Sequence, residues 1–344
     1  MVPNSGGRED MTSLFDPGAD ILSGDTADVY FIRAQEILQR EGVNPVVTME
    51  VFTSREGLLC GMREALALLK RVLPSQAEVW ALDEGDTMSA KEVVLRVTAP
   101  YGSFALYETA YLGMLAQQSG WATAARDCVE AAGGIPIVSF GARHVHPRVA
   151  ARLEYAALVG GFLGCATPAG ARLGDVSPTG TIPHALILIF GDTVEATKAF
   201  DRHIAPEVRR VALVDTFKDE AEESLRVATA LGDKLWGVRL DTPGERGRVT
   251  PDLVIEVRAR LDQAGFKHVK IVVSGGIDAE RIRVFVEKGA PVDVFGVGSA
   301  VSSAPPIDFT ADIKAIEGRP VAKRGRIPGI TDNPRLQKVA LNSG

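Results

Sequence analysis

Cysteine and long apolar runs are scarce in this sequence, and each shortage excludes a class of protein. The three cysteines, Cys60, Cys128 and Cys165, are too few and too far apart for a disulfide framework or a zinc site. No apolar run approaches the roughly 18 residues that a membrane helix needs. The N-terminus also lacks the basic region and apolar core of a signal peptide. We therefore expect a cytoplasmic protein with no membrane partner.

Positive charge is in short supply as well. The 38 lysines and arginines are outnumbered by 44 aspartates and glutamates, which gives a formal net charge of -6. Because an acidic surface repels the phosphate backbone, we expect no nucleic-acid partner. What is present, 46% hydrophobic and 24% charged residues, is typical of a globular protein with a sizeable core.

From about residue 129 onward, short apolar runs alternate with amphipathic helical segments. Each run is a predicted strand, because a strand buried on both faces reads as a continuous apolar stretch. The predicted strands are Ile135–Phe140, Gly161–Ala166, Val176–Ile182, Arg210–Asp215, Leu235–Leu240, Val269–Ser274 and Asp293–Gly298. This alternation predicts a parallel sheet, close to the eight units of a complete α/β barrel. An open doubly wound sheet is the rival, but no GxGxxG motif opens the series.

The segments on either side of this series follow a different pattern. Residues 23–128 read as strands and helices of an antiparallel α+β layer, and residues 305–344 begin with a strand-like alternation that we expect to rejoin it. Residues 1–22 are polar and contain glycine, so we expect a mobile N-terminal segment. The basic stretch Lys323–Arg326 is open to two interpretations, a solvated tail or a position near phosphates.

Two glycine-containing loops follow the last two predicted strands. One holds Ser274, Gly275 and Gly276, and the other holds Gly296 and Gly298. Glycine lets the backbone approach a ligand closely, and a pair of such loops late in a βα series is the phosphate site of many α/β barrels. The sequence therefore predicts a phosphate cradle, with plain turn glycines as the alternative.

Charged and aromatic side chains cluster at the ends of the other predicted strands, where barrel chemistry takes place. They are Phe140, Arg143, Thr181, His184, Asp215, Arg239 and Asp241. The ring of Phe140 would stack on a ring of the substrate, and the arginines would bind anions. The aspartates would contact sugar hydroxyls or a Mg²⁺-bound polyphosphate, so that they are the candidate metal ligands. The alternatives are a core aromatic, surface salt bridges and helix N-caps.

Six motifs follow one another along the chain. They are Tyr101-Gly102-Ser103 with Glu108-Thr109, Phe140-Gly141-Ala142-Arg143, Gly180-Thr181-Ile182-Pro183-His184, Arg239-Leu240-Asp241-Thr242, Ser274-Gly275-Gly276 and Phe295-Gly296-Val297-Gly298. In this order they resemble the shorter form of nicotinate phosphoribosyltransferase, over roughly residues 25–326. The resemblance implies the type II phosphoribosyltransferase fold. This fold would have a seven-stranded parallel α/β barrel at residues 129–304 and an α/β sandwich domain made of residues 23–128 and 305–344.

The resemblance also implies a reaction. Nicotinate and phosphoribosyl pyrophosphate would give nicotinate mononucleotide and pyrophosphate in NAD biosynthesis, with Mg²⁺ as cofactor. ATP would be a co-substrate, so the enzyme would be both a pentosyltransferase and a ligase. His184 would be phosphorylated by ATP, or would only hydrogen-bond a substrate phosphate. Tyr30 would reach the pyridine ring in the neighbouring subunit of a homodimer or higher homo-oligomer, or would only pack the N-terminal helix.

Two other functions remain open. Quinolinate or nicotinamide would be the acceptor in a related phosphoribosyl transfer. In nicotinamide-using relatives a carboxylate near the end of the second barrel strand accepts from the amide, whereas this chain has Gly164–Thr167 there, without a carboxylate. A non-catalytic barrel that binds sugar phosphates is the remaining alternative.

Overall fold

The computed structural model describes residues 13–341. They divide into two compact units: unit one holds the described residues up to Thr123 and from Ala304 onward, and unit two is Ala124–Ser303. The helices are α1 (Ala19–Leu22), α2 (Val29–Glu41), α3 (Met62–Val72), α4 (Glu108–Ala132), α5 (Pro147–Val159), α6 (Pro168–Leu173), α7 (His184–Phe190), α8 (Thr193–His203), α9 (Glu220–Leu231), α10 (Pro251–Gln263), α11 (Ala279–Glu287) and α12 (Ser299–Ser302). The strands are β1 (Val46–Thr53), β2 (Gly57–Leu58), β3 (Glu78–Ala81), β4 (Thr87–Met88), β5 (Val93–Pro100), β6 (Ile137–Ser139), β7 (Gly164–Cys165), β8 (Arg210–Leu213), β9 (Leu235–Leu240), β10 (Lys270–Val273), β11 (Val294–Val297), β12 (Phe309–Ile316), β13 (Arg319–Pro320) and β14 (Gln337–Val339).

Unit one is built on an antiparallel sheet in the order β13-β12-β1-β5-β3-β14. The predicted return of the C-terminal segment is confirmed, because β12 pairs with β1 along its length. Alternate residues of β5 are buried, and the apolar face of α3 lies in the same core. This unit is thus an α+β layer of the kind that the sequence predicts.

The start of the chain includes residues that the structure does not describe. Of the predicted mobile segment, residues 1–12 lie outside the described range. Ser13–Phe15 form a 3-10 turn, and the Phe15 side chain is only 2% exposed. Asp16 accepts a hydrogen bond from Arg71 of α3 at 3.0 Å. These contacts hold the described part of the segment against unit one.

Unit two is built on a parallel sheet in the order β7-β6-β11-β10-β9-β8. The prediction of a parallel α/β sheet is therefore confirmed. The prediction of seven barrel strands is wrong for this sheet, which has six strands. The missing strand is the predicted Val176–Ile182, whose place would be between β7 and β8, the two edges of the sheet.

Proline explains why Val176–Ile182 is not a strand. Pro178 has no N–H to donate to a ladder, and Pro183 ends the segment in the same way. Thr179 still donates one backbone hydrogen bond to the carbonyl of Cys165 at 2.7 Å. The segment therefore runs beside β7 through a single bond, without the repeated bonds of a strand.

Side-chain caps fix where the helices of unit two begin. Asp219 accepts from the backbone of Ala221 at the start of α9, Thr250 caps α10, and Asp278 caps α11. Each such cap contributes about 1 kcal/mol of stability. Each cap follows the preceding strand within about ten residues, so the short loop between them is fixed at both ends. These loops lie at the carboxyl edge of the sheet. No helix within residues 13–341 is both long and apolar enough to cross a membrane.

Candidate active site

A cavity of about 520 Å³ lies at the carboxyl edge of the parallel sheet. All strands of a parallel sheet end at one edge, so the loops that follow them meet there. The cavity brings together eleven of the residues that the sequence predicts for the site. They are Phe140, Arg143, Thr181, His184, Arg239, Asp241, Ser274, Gly275, Gly276, Gly296 and Gly298.

Phe140 forms one wall of this cavity. Its ring is only partly buried, and the guanidinium carbon of Arg239 lies 4.8 Å from the ring centre. A Cβ atom on Gly296 would lie 2.4 Å from the Phe140 ring, so the missing side chain there makes room for the ring. The ring therefore faces the cavity and can present an aromatic surface to a planar ligand.

Arg239 is held in one orientation by three polar side chains. Its guanidinium donates to Ser274 at 2.9 Å, to Asp241 at 3.1 Å and to Thr181 at 3.4 Å. The Ser274 hydroxyl in turn donates to the other carboxylate oxygen of Asp241 at 2.7 Å. Because Asp241 shares the charge of Arg239, this pair offers orientation and hydrogen bonds more than free positive charge.

Arg143 differs from Arg239 in its surroundings. It is exposed at the cavity, and no acidic residue among those described pairs with it. Its charge is therefore available to an anionic group of a ligand.

His184 is paired with a buried carboxylate. The helix α7 begins at His184, as predicted, and the ring Nε2 lies 3.1 Å from Oδ2 of Asp215. The Asp215 side chain is 1% exposed, and its Oδ1 has no hydrogen-bond partner among residues 13–341. Burial raises the pKa of Asp215, while the bond with His184 acts in the opposite direction. A carboxylate that orients an imidazole in this way prepares it to act as a nucleophile or base.

Two residues that the sequence reasoning left aside also contact this region. His144, which was not among the predicted site residues, lines the cavity beside Gly298. Its position directly after Arg143 at a strand end is the signal that would have found it. Glu154 is fully buried and accepts from the backbone N–H groups of Ala166 and Thr167, at 2.8 and 3.0 Å. It thereby fixes the loop after β7, and no sequence pattern marks it.

The described acidic residues of the cavity region do not form a metal-binding cluster. Within the described chain, no group of three or more histidine, cysteine, aspartate or glutamate side chains is arranged to hold a metal ion. Both oxygens of Asp241 are already engaged, and Asp215 keeps one oxygen without a partner. This donor set fits Mg²⁺ that arrives on substrate phosphates and keeps several waters, not a resident ion in a protein cage.

Two predicted features belong to unit one. Tyr30 is 58% exposed, and its hydroxyl donates to Asp28 at 3.2 Å, so its role in a neighbouring subunit stays a prediction. The basic stretch is exposed, and Lys323 and Arg326 pair with Asp312 of β12 at 3.0 and 2.7 Å.

Comparison with known proteins decides the family. Residues 28–119 match the N-terminal domain of quinolinate phosphoribosyl transferase, and residues 121–312 match its C-terminal domain. The chain belongs to the quinolinate phosphoribosyl transferase family. The phosphoribosyltransferase class expected from the sequence is thus confirmed, while the acceptor base is a finer question.

Members and relatives of this family carry two kinds of name. A nicotinate phosphoribosyltransferase of Mycobacterium tuberculosis is 32% identical over 70% of this chain and 52% of its own length. The human nicotinate-nucleotide pyrophosphorylase [carboxylating] is 29% identical over 71% of this chain and 75% of its own. A crystal structure of nicotinate-nucleotide pyrophosphorylase from Pyrococcus furiosus is 43% identical, covers 94% of this chain and 84% of that chain, and superposes with a TM-score of 0.85. The chain spans about half the length of the first of these relatives.

Proposed function

We propose that this chain is a nicotinate phosphoribosyltransferase, which forms nicotinate mononucleotide and pyrophosphate from nicotinate and phosphoribosyl pyrophosphate in NAD biosynthesis. The observation that supports this best is the Phe140 ring beside the unpaired charge of Arg143, in one cavity with the glycine loops. A flat pyridine ring with one carboxylate matches the first pair, and a phosphate matches the loops.

In the transfer step no protein side chain needs to form a covalent bond with the substrate. The C1–pyrophosphate bond loosens to an oxocarbenium-like state as the pyridine nitrogen attacks C1, and pyrophosphate leaves with both bonding electrons. All four of Phe140, Arg143, Arg239 and Asp241 line the cavity. In this proposal the first two orient the pyridine, and the last two contact the ribose and the pyrophosphate. When carried by the pyrophosphate, Mg²⁺ would supply positive charge to the leaving group. No strong general base is needed.

ATP coupling is the second part of the proposal. The His184 imidazole attacks the γ-phosphorus of ATP, the bond to the ADP oxygen breaks, and Asp215 stabilises the resulting phosphohistidine. The support is the 3.1 Å contact between the two side chains, with His184 partly exposed to the cavity. The phosphorylated enzyme then drives mononucleotide formation.

Quinolinate phosphoribosyl transfer is the second candidate. The family name and the nicotinate-nucleotide pyrophosphorylase from Pyrococcus furiosus favour it. Quinolinate carries two carboxylates, whereas the described lining offers one guanidinium without an acidic partner, Arg143, since Arg239 is paired with Asp241. This charge balance favours the monocarboxylate. Nicotinamide is less suited, because Ala166 and Thr167 line the cavity where a carboxylate would be needed.

One assay separates these functions. The protein is incubated with phosphoribosyl pyrophosphate, Mg²⁺ and nicotinate, quinolinate or nicotinamide, each with and without ATP, and products are separated by chromatography. We expect nicotinate mononucleotide from nicotinate, in larger amount with ATP. The same product from quinolinate, together with carbon dioxide, would establish the second candidate. If no product forms with any of the three bases, the non-catalytic sugar-phosphate-binding barrel is the remaining interpretation.

A further inference from the structure

Three consecutive backbone N–H groups beside the cavity lack an acceptor. Those of Gly275, Gly276 and Ile277 donate to no atom of residues 13–341, although Ile277 is only 1% exposed. Unpaired buried N–H groups are rare in folded proteins, because losing water without gaining a partner is costly. The N–H of the buried Ile277 therefore calls for an acceptor that the described residues do not supply, and the N–H groups of the half-buried Gly275 and the exposed Gly276 are open to the same acceptor.

The backbone at this point has the conformation of an anion site. Gly275 and Gly276 both have positive φ, at 87° and 68°, in the left-handed region that favours glycine. Successive N–H groups in turns of this kind form concavities that bind anions. Both glycines also line the cavity.

Arg281 of α11 fixes these peptide units from behind. Its Nη1 donates to the carbonyls of Gly275 and Gly276, both at 2.8 Å, and its Nη2 donates to the carbonyl of Val249 at 2.7 Å. In a planar trans peptide the C=O and N–H point in opposite directions. The N–H groups of Gly276 and Ile277 therefore point away from Arg281. The third bond ties the glycine loop to the loop that follows β9.

The guanidinium of a second arginine, Arg248, lies beside Gly276. Arg248 has its Nη1 1.9 Å from the point where a Cβ of Gly276 would be, and no acidic residue in the described range pairs with it. Burial first, and then the charge of Arg248, lower the pKa of Arg281. Two neighbouring cations without a shared acid are stabilised by an added anion.

We propose that Arg281 is a positioning residue that presents the N–H groups of Gly276 and Ile277 to a phosphate monoester, and that Arg248 binds the same phosphate directly. The inference deepens the proposed function and rests on it, because the monoester is then the 5′-phosphate of phosphoribosyl pyrophosphate. Neither arginine was among the predicted site residues, since each acts from a helix or loop position without a motif.

Ribose 5-phosphate is the probe that tests this, since it carries the monoester without the pyrophosphate or the base. Its affinity is measured by titration calorimetry for the wild type, Arg281→Lys, Arg281→Met and Arg248→Gln. We expect the Arg281 variants to bind at least about tenfold more weakly, because lysine lacks the planar fork that reaches several carbonyls. Arg248→Gln should bind more weakly too, with a smaller dependence on salt.

Arg258 is the matched control. It also donates to two backbone carbonyls, those of Phe266 and Val269, near the amino end of β10. Arg258→Met should unfold at lower denaturant concentration, yet bind ribose 5-phosphate with wild-type affinity. Equal loss of affinity in the Arg258 and Arg281 variants would reduce Arg281 to a purely structural role, and unchanged affinity in all three cradle variants would overturn the proposal.

Steady-state kinetics separate this proposal from the function on which it rests. In Arg281→Lys, the KM for phosphoribosyl pyrophosphate should rise while the KM for nicotinate stays the same. If the wild type binds ribose 5-phosphate but makes no nicotinate mononucleotide, the function is wrong and the cradle stands. If it makes the mononucleotide and Arg281→Lys has an unchanged KM, the cradle is wrong and the function stands.

Discussion

At the scale of single residues, the absent side chain of Gly296 decides where the Phe140 ring lies. The sequence reasoning assigned this glycine to close approach of a phosphate. In the structure the space is occupied by the ring, 2.4 Å from a Cβ placed on Gly296. The same holds for Gly298, where a Cβ would meet His144 at 2.9 Å. These glycines thus shape the cavity through neighbouring side chains.

The first prediction follows from this contact. Gly296→Ala should displace the Phe140 ring, because a Cβ closer than about 3 Å to a packed ring forces a shift. We expect the KM for nicotinate to rise about tenfold. Gly180→Ala is the control, since it lines the same cavity with no atom within 4 Å of an added Cβ, and it should behave like the wild type. Equal KM values in the two variants would contradict the role of the ring.

The second prediction concerns His184. Incubated with γ-labelled ATP, the wild type should acquire acid-labile phosphate, while His184→Ala should acquire none and lose its stimulation by ATP. Asp215→Asn should be labelled more slowly, because the amide cannot stabilise a positively charged ring as the carboxylate does at 3.1 Å. His146→Ala is a suitable control, since that histidine caps α5. An unlabelled wild type, or full ATP stimulation in His184→Ala, would contradict the phosphohistidine.

At the scale of elements, the sequence predicted the strands that depend on apolar runs and missed where proline intervenes. β8, β9, β10 and β11 lie inside their predicted segments, because each is mostly apolar and buried. Val176–Ile182 contains β-branched residues such as Thr179 and Thr181, but it has only two apolar residues, and Pro178 lacks the N–H that a strand ladder needs. Strand propensity does not take into account whether a segment has the backbone N–H groups that pairing with a neighbouring strand requires.

In the candidate site, too, some residues could be predicted from the sequence and others could not. Residues at strand ends, such as Phe140 and Arg239, were predictable because topology brings those ends together. Arg281 and Glu154 were not, since each acts on backbone atoms that are distant in sequence. Their partners are known only once helix and loop are packed.

The third prediction belongs to the first turn of α4. Burial, with the charge of Asp312 acting in the same direction and Lys323 opposing it, raises the pKa of Glu108 to about 7. The folded state then binds more protons than the unfolded state above the ordinary pKa of 4.5, so stability falls as pH rises from there to about 7. Glu108→Gln should abolish this fall. At pH 8 it should gain on the order of 1 kcal/mol, a value reduced for solvent screening.

Denaturant unfolding at pH 5 and pH 8 checks the third prediction. The wild type and Glu108→Gln should be close in stability at pH 5, where the carboxyl of the folded protein is mostly protonated. Glu56 is an exposed glutamate of the same unit, and Glu56→Gln should leave the pH profile unchanged. If the Glu108 variant retains the wild-type pH dependence, another group is responsible.

At the scale of the whole molecule, α2 in unit one and α7 in unit two each expose several apolar side chains. Leu188, Ile189 and Phe190 of α7 are exposed, Ile189 to 81%, and so are Val29, Tyr30, Ile32 and Ile37 of α2. Contiguous exposed apolar surface marks interaction sites, and a symmetric homodimer is the commonest assembly that covers it. A dimer in which Tyr30 completes the site of its partner stays a prediction for this chain.

The fourth prediction tests that shared site by mixing subunits. Tyr30→Ala and His184→Ala should each lack ATP-stimulated activity. Mixing them under exchange conditions should restore about a quarter of the ATP-stimulated activity of the wild type, because half of the dimers are mixed and half of their sites are intact. If Tyr30 acts within its own chain, every mixed site has one defect and no activity returns. His184→Ala mixed with Asp215→Asn is the control, since those residues pair within one chain at 3.1 Å and should not complement. Full activity of Tyr30→Ala alone, or of a monomer isolated by sedimentation, would exclude the shared site.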